Sequence, residues 1–573
     1  MGMFLPNLSG VETQREMVGT FMGYNHNFRI APGELYDMQN MTSDLYPLLS
    51  PRKQRARLRQ LTKPNGLFAH RKLLWVDGVD LYYDGALVGQ VEDSPKQFVG
   101  MGAYVLVFPD KVGYNTHTGE FFHMEQENVT TGTVSAHLCK ADGEIYEDYE
   151  VGDASPSDPK EGMLWVDTSD TPHTLNVYSQ TMGVWQSVPT VYVKIESTGI
   201  GAGLSAFEGV TVSGMEDETL NGDFLLQDAS EDAIIVTAVI DAAIEQDGVV
   251  TVSRKVPDMD YVTECNNRIW GCSSEKHEIY ACALGEPKNW HRFQGLSTDS
   301  YALTIGSPGD FTGAITHLGY VLFFKEDIIH KIYGSKPSNY QLTDTHSRGV
   351  EKESEKSLVI VNETLYYKAR NDVCAYNAAL PSSISAPLGL GKFSQACAGA
   401  YMGKYMISMR DEQGGGHLFA FDESKGLWHR EDDTCALYMA SLDGDLFMVD
   451  EDGVLWSVGG KLDRYADDTA SLEGTVRFMA QFGRMGLDAP DRKYISRLQL
   501  RIHVKRGAMV RVLIRYDMES AWEEKFRFNA TKTYSTTIPI LPRRCDTMEI
   551  KLEGRGEFYL YSLTKTIEQG SDV

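Results

Sequence analysis

Residues 261–290 read YVTECNNRIWGCSSEKHEIYACALGEPKNW. Two short runs of alternating apolar residues, 267–272 and 278–283, flank the polar turn SSEKH, and the chain then leaves through Gly-Glu-Pro to Trp290. Alternation over four to eight residues between turn formers predicts half-buried strands. A lone strand pair cannot bury its apolar face, so the fold depends on how often the chain repeats this pattern.

The pattern recurs at 72–91 (KLLWVDGVDLYYDGALVGQV), 103–121, 319–334, 357–376, 404–421 and 445–458. Each stretch is an apolar strand, a short polar turn such as DG or ND, and a second strand with aromatics at alternate positions. A tighter echo places a Gly five residues and an aromatic seven residues after an aromatic: Tyr114, Gly119, Phe121; Tyr178, Gly183, Trp185; Phe421, Gly426, Trp428. The Gly suits a turn with positive φ, and the aromatics fill a gap between sheets. Units of roughly 40 residues built from strands predict an all-β protein with radially stacked four-stranded sheets, a β-propeller of about six blades.

A chain of 573 residues is too long for one core. Its 53 glycines and 29 tyrosines suit a turn-rich all-β chain. The net charge of −26 should repel phosphates and so argues against tight DNA or RNA binding over the average surface. Eight cysteines without a CxxC pair fit a reducing compartment. No apolar run approaches the ~18 residues of a membrane span. Residues 1–30 show no charged segment followed by an apolar one, so the expectation is a protein made and kept in the cytoplasm unless it leaves within something larger.

In chain order, residues 1–64 read as an extended N-terminal arm and 65–127 as the first part of the propeller. Residues 128–256 turn acidic and loop-rich and read as an inserted β module, tolerated where a loop brings the ends together. Residues 257–463 complete the propeller. Residues 464–573 carry long alternating strands and read as a C-terminal β-sandwich of jelly-roll type. Helices longer than two turns are not expected. Near the end of the arm Arg52, Lys53, Arg55, Arg57 and Arg59 form a basic run in an acidic chain. It is either a contact to a neighbouring acidic surface, another copy or nucleic acid, or a solvated or intrachain strand face.

No constellation demands catalysis, a cofactor or a metal. Cys265, Cys272 and Cys282, with His277 between them, lack the ligand spacing of zinc sites and read as small core hydrophobes. The acids at 443–445 and 450–453 lack the terminal bidentate Glu of a calcium loop and read as hairpin turns. GIGAG at 199–203 has neither the third Gly nor a following helix, so it reads as a flexible turn. The Gly426/Trp428 motif is like the aspartate box of sialidase-type propellers, a structural turn even there, and no spacing gathers the carboxylates a glycosidase needs.

Several stretches resemble bacteriophage tail proteins: FRIAPGELYDMQNMTSDLYPLLSPR (28–52), NNRIWGCSSEKHEIYACALGEPKNW (266–290), the segment 309–341, GLWHRED (426–432) and PRRCDTMEIKLEGRGEFYLYS (542–562). Together they are similar to propeller-bearing hub or nozzle components of tails. The insert segment 162–185 is similar to small modules of phage tail and fibre proteins. The resemblance implies a structural virion protein, without catalytic residues or cofactor, assembled in the host cytoplasm into the tail. Its expected partners are further copies in a ring, commonly six, and a portal, adaptor or other tail protein, with DNA passing and no membrane. Under it the run Arg52–Arg59 is the expected subunit contact. An alternative is a receptor- or carbohydrate-binding tail protein that uses Trp165 and Trp185; a tail-associated glycan hydrolase is a third reading.

Overall fold

Every hairpin quoted above lies within a four-stranded sheet except that at 445–458, which lies in a five-stranded one. The computed structural model describes residues 13–462, 465–487, 492–519 and 521–569. Residues 1–12 of the expected arm, 463–464 at the expected propeller–sandwich boundary, and 488–491, 520 and 570–573 of the expected sandwich lie outside the described residues. The protein is all-β: a β-propeller, an inserted β module and a C-terminal β-sandwich, with short 3-10 turns as its helical elements among the described residues.

Residues 64–90, 97–123, 261–304, 313–346, 359–383 and 393–430 form blades one to six, each a four-stranded sheet whose strands neighbour one another in chain order. Blade seven contains Ala436–Leu442, Asp445–Asp450 and Val454–Ser457 and takes its next strand, Ala56–Gln60, from far upstream. There are thus seven sheets where the irregular spacing suggests about six. The last hairpin brings only three strands of its own, so its repeat is incomplete in the local sequence.

The turns follow from residue chemistry. In blade seven Asp443 and Gly444 both have positive φ (51° and 75°), the geometry that lets a two-residue turn match the twist of its strands. The aromatic–Gly–aromatic echo has one structure in all three places. Tyr114 faces Phe121, Tyr178 faces Trp185 and Phe421 faces Trp428 across paired strands. The N–H of Gly119, Gly183 or Gly426 closes each loop onto the carbonyl four residues back, at 2.7–2.8 Å.

The chain divides into two compact units. Unit one holds the described residues up to 95, then 324–329 and those from 345 onward. In it the first strands of blades five, six, seven and one lie side by side in that order. It also holds the sandwich. One sandwich sheet runs Thr13–Val18, Phe558–Gln569, Lys493–Val504, Lys532–Ile538; the other runs Leu35–Gln39, Arg477–Phe482, Met548–Arg555, Met509–Tyr516, Glu523–Phe528. Alternate residues of the long strand, Leu498, Leu500, Ile502 and Val504, are buried, so period-two patterning decides which face meets the core. The described part of the expected arm is therefore anchored by strand pairing at intervals: Thr13–Val18 and Leu35–Gln39 serve the sandwich and Ala56–Gln60 the propeller. Turn formers between these short strands give the segment its loop-like composition.

Unit two holds 96–323 and 330–344, with blades two and three, most of blade four, and the insert between blades two and three. The insert is an eight-stranded sheet spanning 126–254. Its long strand Gly222–Ser230 pairs with Gly209–Ser213 over one half and Ala233–Thr237 over the other, bending through a register shift between Leu226 and Asp228. Val134, Ile195, Val212, Ile234 and Val252 fill its core. A four-stranded sheet spanning 150–187 is set into one of its connections.

Candidate functional site

The basic run splits in two. Arg55 is buried, its guanidinium donating to Glu431 Oε2 (2.5 Å) and Thr434 Oγ1 (3.2 Å) and lying 2.9 Å from Asp432 Oδ2. Arg52 reaches Asp432 (3.2 Å), Glu431 (3.7 Å) and Glu473. Burial alone would raise the Asp432 carboxyl, but Arg55 and Arg52 outweigh it and hold it at about 2. Arg59 donates to the Tyr465 carbonyl (3.1 Å) and lies 4.6 Å above the Trp75 ring. Arg57 is half-buried and donates to Gln60, while Lys53 is exposed. Arg52 and Arg55 thus spend their charge inside the subunit, because a guanidinium removed from water must find carboxylates. Lys53 and Arg57 are the members left at the surface.

Beside this knot opens a cleft of 780 Å³ in unit one, with Arg52, Lys53, Lys404 and Glu431 in its lining. Lys404 donates to Asp44 (2.5 Å) and Thr42 (3.0 Å). Burial pushes the Asp44 carboxyl up, yet Lys404 more than offsets this and the net shift is downward. The cleft's opposite charges are matched to one another, so it presents fixed polar groups and no strong field of one sign.

The insert's aromatic residues meet as well. Trp165 and Trp185 pack edge to face at 5.5 Å, and Tyr178 lies 5.3 Å from Trp185. Trp165 is buried, with its indole N–H on the Gly152 carbonyl (3.1 Å), whereas Trp185 is half-exposed. Of the two tryptophans, Trp185 is the one that offers ring surface to a ligand.

Sequence reasoning missed one constellation. Ser307 Oγ lies 2.9 Å from His330 Nε2, and His330 Nδ1 lies 2.6 Å from Asp344 Oδ1. That is the order of a nucleophile, base and acid. The burial is inverted, however: the His330 ring is fully enclosed and the Asp344 carboxylate is 44 % exposed. Nucleophilic catalysis buries the acid and opens the base and hydroxyl to substrate. The relay instead pins the loop between blades three and four onto blade four. Ser307→Ala is expected to cost about 1 kcal/mol and to speed proteolysis at 305–312 by limited digestion; labelling of Ser307 by a fluorophosphonate would sink this structural assignment. Residues 23 and 14 positions apart carry no local spacing signal, which is why the set stayed hidden.

The remaining candidates are structural. All eight cysteines are buried as free thiols. Cys265 and Cys272 share one apolar cluster and Cys282 belongs to another; burial pushes the Cys282 thiol up to about 12 and keeps it protonated. Among the described residues no group of three His, Cys, Asp or Glu side chains could hold a metal ion. Asp445 accepts from the backbone N–H of Leu446 and Gly459 and from Ser457 Oγ, and Asp450 from Val454 N–H and the Trp456 indole. Both acids tie hairpins. No helix among the described residues is long and apolar enough to cross a membrane.

No family model matches the sequence, and no curated protein matches it. Solved structures with partial likeness include the exo-β-1,3-galactanase of Phanerochaete chrysosporium (8% identity, 53% of this chain and 94% of that one, TM-score 0.21). Others are the computationally designed Ika8 protein (9%, 71% and 99%, TM-score 0.32) and BamB from Moraxella catarrhalis (9%, 63% and 92%, TM-score 0.22). Overlaps of this quality assign neither a family nor an activity.

Proposed function

We propose that the chain is a structural component of a bacteriophage tail, a hub- or nozzle-type protein. In this reading it rings up with copies of itself, joins tail parts, lines or closes the genome channel, and catalyses nothing. One observation carries the reading. Three of the stretches that resemble tail proteins meet in unit one: Arg52, ending the first, pairs with Glu431 and Asp432 of GLWHRED, and Leu49 of the first bridges to Leu560 of the C-terminal stretch. The resemblance thus falls on contacts that brace the body. The net charge of −26 suits a channel wall past which DNA must move without adhering.

Purified protein is expected to form rings in negative-stain images. The double variant Lys53→Glu/Arg57→Glu should reduce them to single particles by mass photometry while leaving the far-UV circular dichroism unchanged. Single particles only from the unaltered chain, or rings indifferent to both substitutions, would count against the reading. The half-exposed Trp185 beside Trp165 favours a second reading, a receptor- or carbohydrate-binding tail protein. Loss of sugar binding on Trp185→Ala alone would bring it forward.

A further inference from the structure

A separate pocket of 450 Å³ lies in unit one, within the ~300–1,000 Å³ range of small-molecule sites. Three parts of the chain build it: the segment 24–37, the loop 388–393, and the ends of blade-six strands that carry Asp411, His417, Phe419 and Arg430. Its aromatic rings are coupled into one wall. His26 stacks on Tyr24 (5.8 Å, 4° between planes) and on Tyr36 (4.5 Å, 26°). Tyr24 meets Phe419 at 5.6 Å, and Phe419 meets Phe393 at 5.6 Å and His417 at 6.0 Å. The loop is seated on the segment by His26 N–H to the Pro387 carbonyl (2.8 Å) and Asn27 Nδ2 to the Ala386 carbonyl (2.9 Å). The wall is therefore formed before any ligand arrives.

Planar polar groups are set among these rings. Asp37 accepts from Arg430 Nη1 at 3.4 Å and from Met38 N–H at 2.9 Å. Asp411 accepts from His417 Nε2 at 2.8 Å. Arg430 also reaches Asp433 through Nη2, while its Nε is buried without a hydrogen-bond partner. A donor withdrawn from water and left unmet is costly unless something supplies an acceptor. Burial, then Asp37, raises the Tyr24 phenol, which so remains a protonated donor.

We propose that this pocket binds a neutral sugar ring, one unit of a glycan. A pyranose offers an apolar C–H face to aromatic rings and hydroxyls that both donate and accept, matching carboxylate and guanidinium in one site. A wholly apolar ligand would lie against the charged side chains of Asp37, Asp411 and Arg430 that line the pocket. An anion would face Asp37, Asp411 and Glu412 against only Arg430 and Lys392. The inference is independent of the tail reading, since ring formation and sugar binding are read by different measurements.

The test is saturation-transfer NMR on the full chain with methyl β-glucoside, methyl β-galactoside and N-acetylglucosamine. Transfer to at least one sugar is expected, reduced fivefold or more in both Phe393→Ala and Arg430→Lys and unchanged in Trp185→Ala. Gln413→Ala, at the exposed rim, replaces either pocket variant whose near-UV spectrum shows lost packing. No transfer to any of the three sugars overturns the proposal. So does transfer that persists in the pocket variants, or that falls only with Trp185→Ala.

Discussion

Arg55→Ala is expected to destabilise unit one by about 3–5 kcal/mol, the usual consequence of removing one partner from a buried ion pair. Glu431 and Asp432 would lose their closest cation while remaining enclosed, with only Arg52 left near them, at 3.7 and 3.2 Å. That surviving partner points to the lower end of the range. Arg55→Lys should recover part of the loss, because an ammonium restores the charge but not the fork that serves Glu431, Asp432 and Thr434 together. The readout is the urea midpoint of the transition that includes unit one. A shift no larger than that of Lys53→Ala, on an exposed neighbour, would mean the knot contributes nothing to stability. Arg55→Glu would crowd a third carboxylate against two others, so it probes folding and is unsuited to testing assembly.

Acid should weaken unit one well before its carboxylates protonate. His429 is buried, and burial, followed by the nearby Lys404, lowers its pKa to about 3 against the opposing pull of Asp422 and Asp44. The unfolded chain takes up this proton near pH 6.5, whereas the folded chain refuses it until about pH 3. Stability tied to His429 is therefore complete above pH 6.5 and declines as pH falls towards 3, by up to about 1.4 kcal/mol per pH unit. Asp422, where burial is outweighed by Lys425, Ser43 and Ser424, and Asp432 are both held at about 2. Their contribution is present above about pH 4 and is lost between there and 2. Between pH 6.5 and 5 neither carboxylate's contribution changes, and His291 of unit two, whose pKa burial also lowers, adds its own loss to both proteins, so comparison with a variant isolates His429. Over that interval His429→Gln should lose about 2 kcal/mol less than the unaltered chain, seen as a flatter dependence of Tm on pH. Parallel slopes for the two proteins would show that the ring is protonated in the folded state.

What the sequence revealed and what it hid divide along contact range. Hairpins were legible because their signal is local: the Tyr114, Tyr178 and Phe421 motifs each fit within eight residues, and the structure closes each with the same Gly turn. The sandwich strands showed themselves through period-two burial. The blade number did not, because blade seven is completed by residues 56–60, and no local pattern reports a partner about 400 positions away. Arg55 stayed ambiguous for the same reason. Its type and neighbours suit a surface contact, and only the return of Glu431 and Asp432 to its side makes it an interior residue. The aromatic pocket was equally invisible, since it draws on three parts of the chain whose rings look like ordinary core residues.

The pairing of Ala56–Gln60 with Val454–Ser457 also dictates a timetable for synthesis. At about 5–20 residues per second, the early strand emerges some 20–80 s before the strand that will receive it. Thr13–Val18 waits longer still for Phe558–Gln569. During that interval exposed backbone edges must be kept from pairing with other nascent chains, and the long-range closure makes the final step slow. Chains cut short before residue 454 would lack the strand that pairs with Ala56–Gln60, leaving the seventh blade unclosed and that early strand with a bare edge.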